Sequence, residues 1–440
     1  MAIQAAQRAS VKPRMTTWRQ ILLSFFWFST NMMWSAVLII TMPSQIKSAV
    51  GDADKGSALG LALGAGALIS MLAAPVFGAL SDRIRLPGGR RKPWIVIGSV
   101  GNAIGLVGLA YLIQPGHPES VAIWTVAFLL VELFNNIATG PYSALIPDQV
   151  PAEQRGSASG WLGLMIMLGT FAGGAMGFLV DTLGMANVYF IMIGVILLGA
   201  VVTVFGVQET NEPHAMPPFR LDAFLRGLID PFSNSDFTWV FLTRLLVTMG
   251  IFTVQEFIQY YLGDVIGAPY VLAGIGKVAD TAEAAVSFFL PMLLLGAIIT
   301  TLLAGMLSDR YGRKKMVYLA GALMGVVCLV FVFFHSFTLA VAMGVVFGLG
   351  YGAYESVDWA LASDVLPSAD DYAKDMGVWH VAMVLPQVIA TPIAGYLLDN
   401  FQRVGAAQGI ANLGYTIIFV IAVAYFALGT VFVKQIKKVR

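Results

Sequence analysis

The sequence predicts an all-α membrane protein with twelve transmembrane helices in two pseudo-symmetric six-helix halves. The first observation is composition: 58% of the 440 residues are hydrophobic, 12% are charged, and the mean hydropathy is +0.78. A soluble domain of this length with such a composition would carry a grossly apolar surface. The second observation is a series of apolar stretches, each near the ~20 residues that cross ~30 Å of hydrocarbon. The third is a loop signature that occurs twice.

Six apolar stretches are predicted in each half. The first six lie near residues 20–42, 57–80, 94–114, 121–146, 157–180 and 187–207, and the second six near 237–262, 285–308, 316–335, 338–363, 375–398 and 411–433. The intervening segment contains several prolines and mixed charges, as is typical of a linker. The predicted domains are therefore an N-terminal half (1–207), a linker (208–236) and a C-terminal half (237–440).

The repeated signature lies at the ends of spans 2 and 8. The first copy reads Gly78-Ala-Leu-Ser-Asp82-Arg83 followed by Gly89-Arg90-Arg91-Lys92, and the second reads Gly305-Met-Leu-Ser-Asp309-Arg310-Tyr-Gly312-Arg313-Lys314. An acid, a glycine that permits a bend and clustered bases suit a short loop between two spanning helices at an anionic membrane surface. Two such loops in one chain indicate a duplicated six-helix unit.

The basic residues predict the orientation of the chain. Of the 26 Lys and Arg residues, 21 lie on the side of the termini and the repeated loops, four lie on the opposite side, and Arg244 lies inside span 7. Because basic loops stay in the cytoplasm, both termini are predicted to be cytoplasmic, in a plasma membrane or a bacterial inner membrane. The net charge of +1 and the scattered bases argue against binding to nucleic acid.

Ionisable residues inside the predicted spans are few, and each is a functional candidate because a charge is costly to place in a bilayer. In span 4, Glu132, Asn135 and Asn136 share a polar helical face, where a carboxyl group in apolar surroundings is suited to carry a proton. Glu256 in span 7 and Asp358 in span 10 are further candidate proton-coupling sites. The alternative for each is a structural carboxylate paired inside the bundle.

The repeated loops resemble the signature of the major facilitator superfamily, and the likeness extends over nearly the whole chain. Span 4, with its acid, paired asparagines and Gly140-Pro141, resembles the fourth helix of plant sucrose/proton symporters, which carry Asp where this chain has Glu132. The run from Gly89 to Trp94 also resembles the sequences of this clade. The glycoside-pentoside-hexuronide cation symporters are related to the same clade. The resemblance implies alternating access, in which the two halves rock about a central cavity.

Within that superfamily, proton-coupled symport of a sugar or glycoside is the favoured interpretation. The alternative is proton-driven export or antiport of a drug-like or lipid-like compound, and a third class is a membrane protein that never transports. Melibiose-type sodium symporters carry acids in helix 2, whereas residues 57–80 contain none. Proton coupling is therefore preferred over sodium coupling.

A second group of residues is predicted to bind the substrate in a cavity lined by spans 1, 4, 5, 7, 8, 10 and 11. Tyr351 and Glu355 share a face of span 10, and an aromatic ring beside a carboxylate suits a polyol. Arg244 is expected to pair with a carboxylate of span 10, or else to reach the membrane interface. The other candidate substrate-binding residues are Trp27, Asn31, Trp34, Asn135, Asn136, Gln255, Gln259, His380 and Gln387.

Motifs of catalysis and cofactor binding are missing from the sequence. The four histidines lack metal-ligand spacing, and no nucleophile elbow or Walker loop is present. We therefore predict no enzyme activity, no cofactor and no metal. The expected partners are a small-molecule substrate, a proton and the lipid bilayer, and the expected oligomeric state is a monomer.

Overall fold

The computed structural model describes residues 14–84, 86–145, 149–151, 154–206, 229–365 and 372–437. Within these ranges, eleven helices are long and apolar enough to cross a membrane, and one bent pair of helices forms a twelfth span. The predicted fold class is thus confirmed. Most of the predicted linker lies outside the described residues, as do the side chains of Asp309 and His380 and the surroundings of Gly305.

The spans are labelled α1 to α12 in chain order. The first six are α1 (Thr17–Val50), α2 (Lys55–Arg83), α3 (Lys92–Tyr111), α4 (Ser120–Ser143), α5 (Arg155–Gly174, continued after a bend by Gly177–Leu183) and α6 (Met185–Gly206). The second six are α7 (Ser235–Gln255), α8 (Ala282–Tyr311), α9 (Arg313–Phe333), α10 (Phe337–Val365), α11 (Tyr372–Gln408) and α12 (Leu413–Phe432). Short 3-10 turns precede α7 and follow α12, at Asp230–Ser233 and Val433–Gln435.

Local sequence explains where several helices begin and end. The Asn234 side chain accepts hydrogen bonds from the first backbone N–H groups of α7, and Thr281 does the same for α8. Gly51 and Gly312 follow α1 and α8 with positive φ values of 75° and 96°, which favour glycine and stop the helix. Most helices begin shortly before the predicted span, because hydropathy marks only the apolar part of a helix, whereas several, including α3, α4 and α12, end within it.

The first helix of each half is irregular. A π-helical turn, Val37–Thr41, interrupts α1. In the second half, α7 stops at Gln255, resumes as one turn at Ile258–Tyr261 and ends in a second π-helical turn, Leu262–Ile266. A small antiparallel hairpin follows, with β1 at Tyr270–Leu272 and β2 at Gly276–Ala279. This hairpin was not predicted, and it is an exception to the all-helical description.

The two ends of the bundle are distinct. We call the end that holds residues 14 and 437 the terminal end, and the end that holds the loop 51–54 and the hairpin the distal end. Toward the distal end, α2 packs against α11 and α5 against α8, which joins the two halves. A Cβ atom built on Gly60 of α2 would lie 2.6 Å from the carbonyl oxygen of Thr391 in α11. Glycine is therefore required for this close approach.

Candidate functional site

A cavity of about 570 Å³ lies between the halves and extends to the last turns of α2 and α4 at the terminal end. Its lining comes from α1, α2, α4 and α11 and consists of Trp27, Ser70, Met71, Ala74, Pro75, Gly78, Asn136, Thr139, Gly140, Ser143, Val381 and Val384. Span 2 was not among the helices expected to line the cavity. Its contribution here is mostly small or apolar, which left no charge pattern to reveal it.

Glu132 lies one turn beyond Asn136, which lines the deep end of this cavity. The Glu132 side chain is buried, and Gly66 of α2 packs against it. The Asn136 side-chain amide donates to the Glu132 carbonyl oxygen at 2.9 Å, lies 3.5 Å from Glu132 Oε2, and exchanges hydrogen bonds with Ser70 at 3.1 and 3.3 Å. In the described part of the chain, no cation pairs with Glu132. An amide thus connects an uncompensated carboxyl group to the cavity.

Arg244 of α7 contacts the two acids of α10. Its Nη1 donates to Asp358 Oδ2, and its Nη2 lies 4.0 Å from Glu355 Oε2. Asp358 is fully buried, whereas 32% of the Glu355 side chain is exposed. The expected pairing of Arg244 with a span 10 carboxylate is therefore present, and it uses Asp358 chiefly. Glu355 is the acid of this triad that remains accessible.

A second cavity, of about 160 Å³, also lies between the halves. It is lined by Ile39, Thr170, Val254, Gln255, Ile258, Val286, Phe289, Leu290, Leu293, Leu294, Phe331, Phe347 and Tyr351. Gln255 and Tyr351, two predicted substrate-binding residues, are among its few polar groups. The remainder of the wall is mainly aliphatic and aromatic.

Other predicted binding residues have local roles. Asn31 donates to the Trp27 carbonyl oxygen of its own helix at 2.8 Å, and Trp34 packs edge-on against Phe128. Gln259 is buried, whereas Gln387 is partly exposed. Asn135 is buried, and its carbonyl oxygen accepts a hydrogen bond from Thr139 at 2.9 Å. These side chains are not all gathered in one cavity.

The first repeated loop is held by ion pairs between its own residues. Asp82 Oδ1 lies 2.6 Å from Arg90 Nη2 and 2.6 Å from Arg91 Nη2, and Arg91 also donates to Ser81. Arg83 is exposed and donates to the carbonyl oxygen of Ala79. In the second loop, Arg310 is exposed and Arg313 is half-buried. The Asp82 contacts lie within the N-terminal half, so they fix the loop between α2 and α3.

A polar network at the distal end joins the two halves and was missed by sequence analysis. Asp264, after the α7 break, accepts hydrogen bonds from Lys47 at 2.8 Å, from Lys55, and from Tyr415 at 2.5 Å. Lys55 is buried and also pairs with Asp52 at 2.6 Å. The hydrogen bond from Lys55 lowers the pKa of Asp52. Two bases of the N-terminal half thus meet one acid of the C-terminal half.

Two further contacts strengthen this closure. Asp399 of α11 accepts from the backbone N–H groups of Gly56 and Ser57 at 2.9 and 2.6 Å, and so caps α2 from the other half. The Tyr260 hydroxyl donates to the Pro43 carbonyl oxygen at 2.9 Å, and its ring lies 5.1 Å from Lys55 Nζ. From the sequence alone, Lys47 and Lys55 are predicted only as loop charges, because their partner Asp264 is distant in the chain.

A two-halved helical bundle, sealed at one end and with a cavity reaching the other, is the architecture of a major facilitator superfamily transporter. The chain belongs to the MFS/sugar transport protein family, which it matches over residues 55–433. Its family and fold are those of transporters of small molecules.

The relatives include, by name, a sucrose transport protein and multidrug efflux pumps. The multi-drug resistance efflux pump PmrA homolog of Lactococcus lactis subsp. lactis (strain IL1403) is 24% identical over 353 residues, covering 79% of this chain and 81% of the relative. The sucrose transport protein SUC4 of Arabidopsis thaliana is 23% identical over 387 residues, covering 75% of each. A crystal structure of a mutant of the nucleoside transporter NupG has a TM-score of 0.73 at 13% identity, covering 95% of this chain and 100% of that one. The last similarity concerns the fold alone.

Proposed function

We propose that the protein is a proton-coupled symporter of a sugar or glycoside that works by alternating access. The observation that carries the proposal is the path from cavity to carboxyl group: Ser70 and Asn136 line the cavity, and Asn136 contacts Glu132. A buried carboxyl group without a cation is stable when protonated, and it releases its proton when water reaches it. Glu132 therefore acts as the coupling site.

The proposal assigns a conformation and an orientation. With the distal end sealed by the Asp264 network and the larger cavity reaching the terminal end, the molecule is in an inward-facing state if the terminal end faces the cytoplasm. The bias of basic residues toward the terminal end supports that orientation. Substrate and proton then leave through the same cavity.

Substrate recognition is proposed for the larger cavity and for Glu355 of α10. Hydroxyl and amide groups of Ser70, Asn136 and Thr139, with the Trp27 ring, suit a sugar at the larger cavity. Glu355 offers a carboxylate that Arg244 holds in place. Export of an apolar compound is the second candidate function, and the mainly apolar wall of the smaller cavity favours it.

Uptake by reconstituted vesicles separates these functions. A panel of labelled mono- and disaccharides and a lipophilic fluorescent cation would be offered with and without an imposed proton gradient. Accumulation of a sugar in the direction of proton flow supports symport, and movement of the lipophilic cation against proton flow supports export. Glu132→Gln should abolish concentrative uptake and spare downhill exchange, because glutamine mimics the protonated side chain.

The matched control is Glu119→Gln. Glu119 precedes α4, is exposed, and pairs with His117 at 2.8 Å outside the bundle. This variant should transport like the parent. Concentrative, pH-dependent uptake by Glu132→Gln would place the coupling site elsewhere.

A further inference from the structure

Glu256 lies in the C-terminal half and has surroundings unlike those of the other intramembrane acids. Its side chain is 2% exposed. Among the residues that the structure describes, neither of its carboxylate oxygens has a hydrogen-bond partner, and no ionised group is near enough to offset its charge. Asp358 is equally buried and is paired with Arg244. Ion pairing therefore explains Asp358 and leaves Glu256 unexplained.

The backbone at Glu256 is broken. Helix α7 stops at Gln255, Phe257 has φ −108° and ψ 6°, and the helix resumes at Ile258. A break interrupts the hydrogen-bond ladder and leaves backbone carbonyl groups for other partners. Interrupted spans are used by membrane transporters to hold small cations with such carbonyl groups. Glu256 is thus a lone carboxyl group at a position suited to a cation.

A third acceptor lies one turn further along the chain. Gln259 is 3% exposed, and its Oε1 has no hydrogen-bond donor among the described residues. Three buried side-chain oxygens without a donor are costly in an apolar interior. A bound proton lowers this cost by neutralising the carboxylate and giving it an O–H donor, and a small metal cation lowers it by coordinating the oxygens directly.

We propose that Glu256, with Gln259, forms a second binding site for a small monovalent cation, H⁺ or Na⁺, separate from Glu132. The inference rests on the proposed function in one respect: the cation is taken to be translocated with the substrate. The neighbouring residues give the site a route to influence the substrate. Gln255 and Ile258, on either side of the break, line the smaller cavity, so occupation of the cation site and the shape of that cavity depend on the same turn.

Binding is tested on purified protein without any substrate. Thermal unfolding would be followed for the parent, Glu256→Gln and Glu132→Gln, with NaCl or choline chloride at fixed pH, and then across mildly alkaline to mildly acidic pH in choline chloride. A ligand that binds only the folded state raises the midpoint. If the cation is Na⁺, NaCl should raise the parent midpoint by a few degrees; if it is H⁺, acidification should do so.

In Glu256→Gln, a response to NaCl should be lost and a response to acidification should fall to the part that Glu132 contributes. The midpoint should start at least as high as in the parent, because the uncharged amide needs no cation. Glu132→Gln should keep the part of the change in midpoint that depends on Glu256. If the glutamine variant does not fold, Glu256→Asp is used: it keeps the carboxyl group on a shorter side chain, so its response to the cation should be weaker than that of the parent, and an unchanged response would count against the site. Equal responses to both cations in the parent and Glu256→Gln would overturn the second site.

Charge stoichiometry then tests translocation. In vesicles, the reversal potential for uptake should correspond to two cations per substrate in the parent and to one in Glu256→Gln. An unchanged ratio would remove Glu256 from transport. These results are separable from the proposed function, because uptake that ignores a proton gradient would refute proton symport and leave the substrate-free binding result standing.

Discussion

Asp264 should control the equilibrium between the two access states, because its contacts join the halves only when the distal end is closed. Asp264→Asn removes the negative charge that Lys47, Lys55 and Tyr415 contact, and it keeps the size of the side chain. The closed distal end should therefore lose stability relative to the open one. Transport should become limited by the return to the distally closed state.

The size of the effect follows from burial. The side chain of Lys55 is 4% exposed and that of Asp264 is 18% exposed, whereas the remaining partner of Lys55, Asp52, is 76% exposed. Removing one partner of a fully buried pair costs about 3–5 kcal/mol, and an exposed pair contributes about 0–1 kcal/mol. Since Lys55 keeps Asp52, we expect about 2 kcal/mol, which is about a 30-fold shift toward the distally open state.

Spin labels across the distal end would measure this shift. Asp54 and Arg403 belong to opposite halves, are exposed, and lie 3.7 Å apart at their charged atoms. Cysteines at these positions, in a Cys328→Ala background, carry the labels, and the distance distribution reports the open fraction. The labels remove the exposed pair in parent and variant alike.

Asp181→Asn is the matched control. Asp181 accepts a hydrogen bond from Thr281 of the other half at 2.7 Å, also at the distal end, and the contact is exposed. This change should shift the distribution little. A distribution for Asp264→Asn that matches the parent or the Asp181 control would refute the assignment of Asp264 as the closing contact.

Three further variants test the remaining assignments. Asp82→Asn, which leaves Arg91 with Ser81, should slow turnover and change substrate affinity by less than a few fold; lost binding by a folded protein would exclude a conformational role. Glu355→Gln should weaken equilibrium binding of the transported substrate by about 1–3 kcal/mol, and unchanged affinity would return Glu355 to a structural role. Asp358→Asn should lower the thermal midpoint and yield of folded protein, because it removes the negative charge that lies nearest to the buried Arg244 guanidinium; a midpoint equal to that of the parent would contradict this pairing.

The residues around Glu132 separate what the pattern along one helix predicts from what depends on the packing of two helices. Spacing along one helix was enough to place Glu132, Asn135 and Asn136 on a polar face, because the α-helical repeat is fixed by backbone geometry. It could not identify Gly66 and Ser70 of α2 as the groups opposite Glu132 and Asn136. Those contacts depend on how two helices pack, and small residues leave little pattern in a sequence.

The sequence by itself determined the membrane class, the twelve spans, and the expected orientation, since each depends on local hydropathy, length or loop charge. It also indicated that Arg244 needs a carboxylate of span 10. Only the tertiary structure decided that Asp358 is the buried partner, that Glu355 keeps an accessible face, and that Asp264 gathers Lys47 and Lys55 at the distal end. The physical reason is that an ion pair forms between groups close in space, whatever their separation in the chain, and their burial sets its strength.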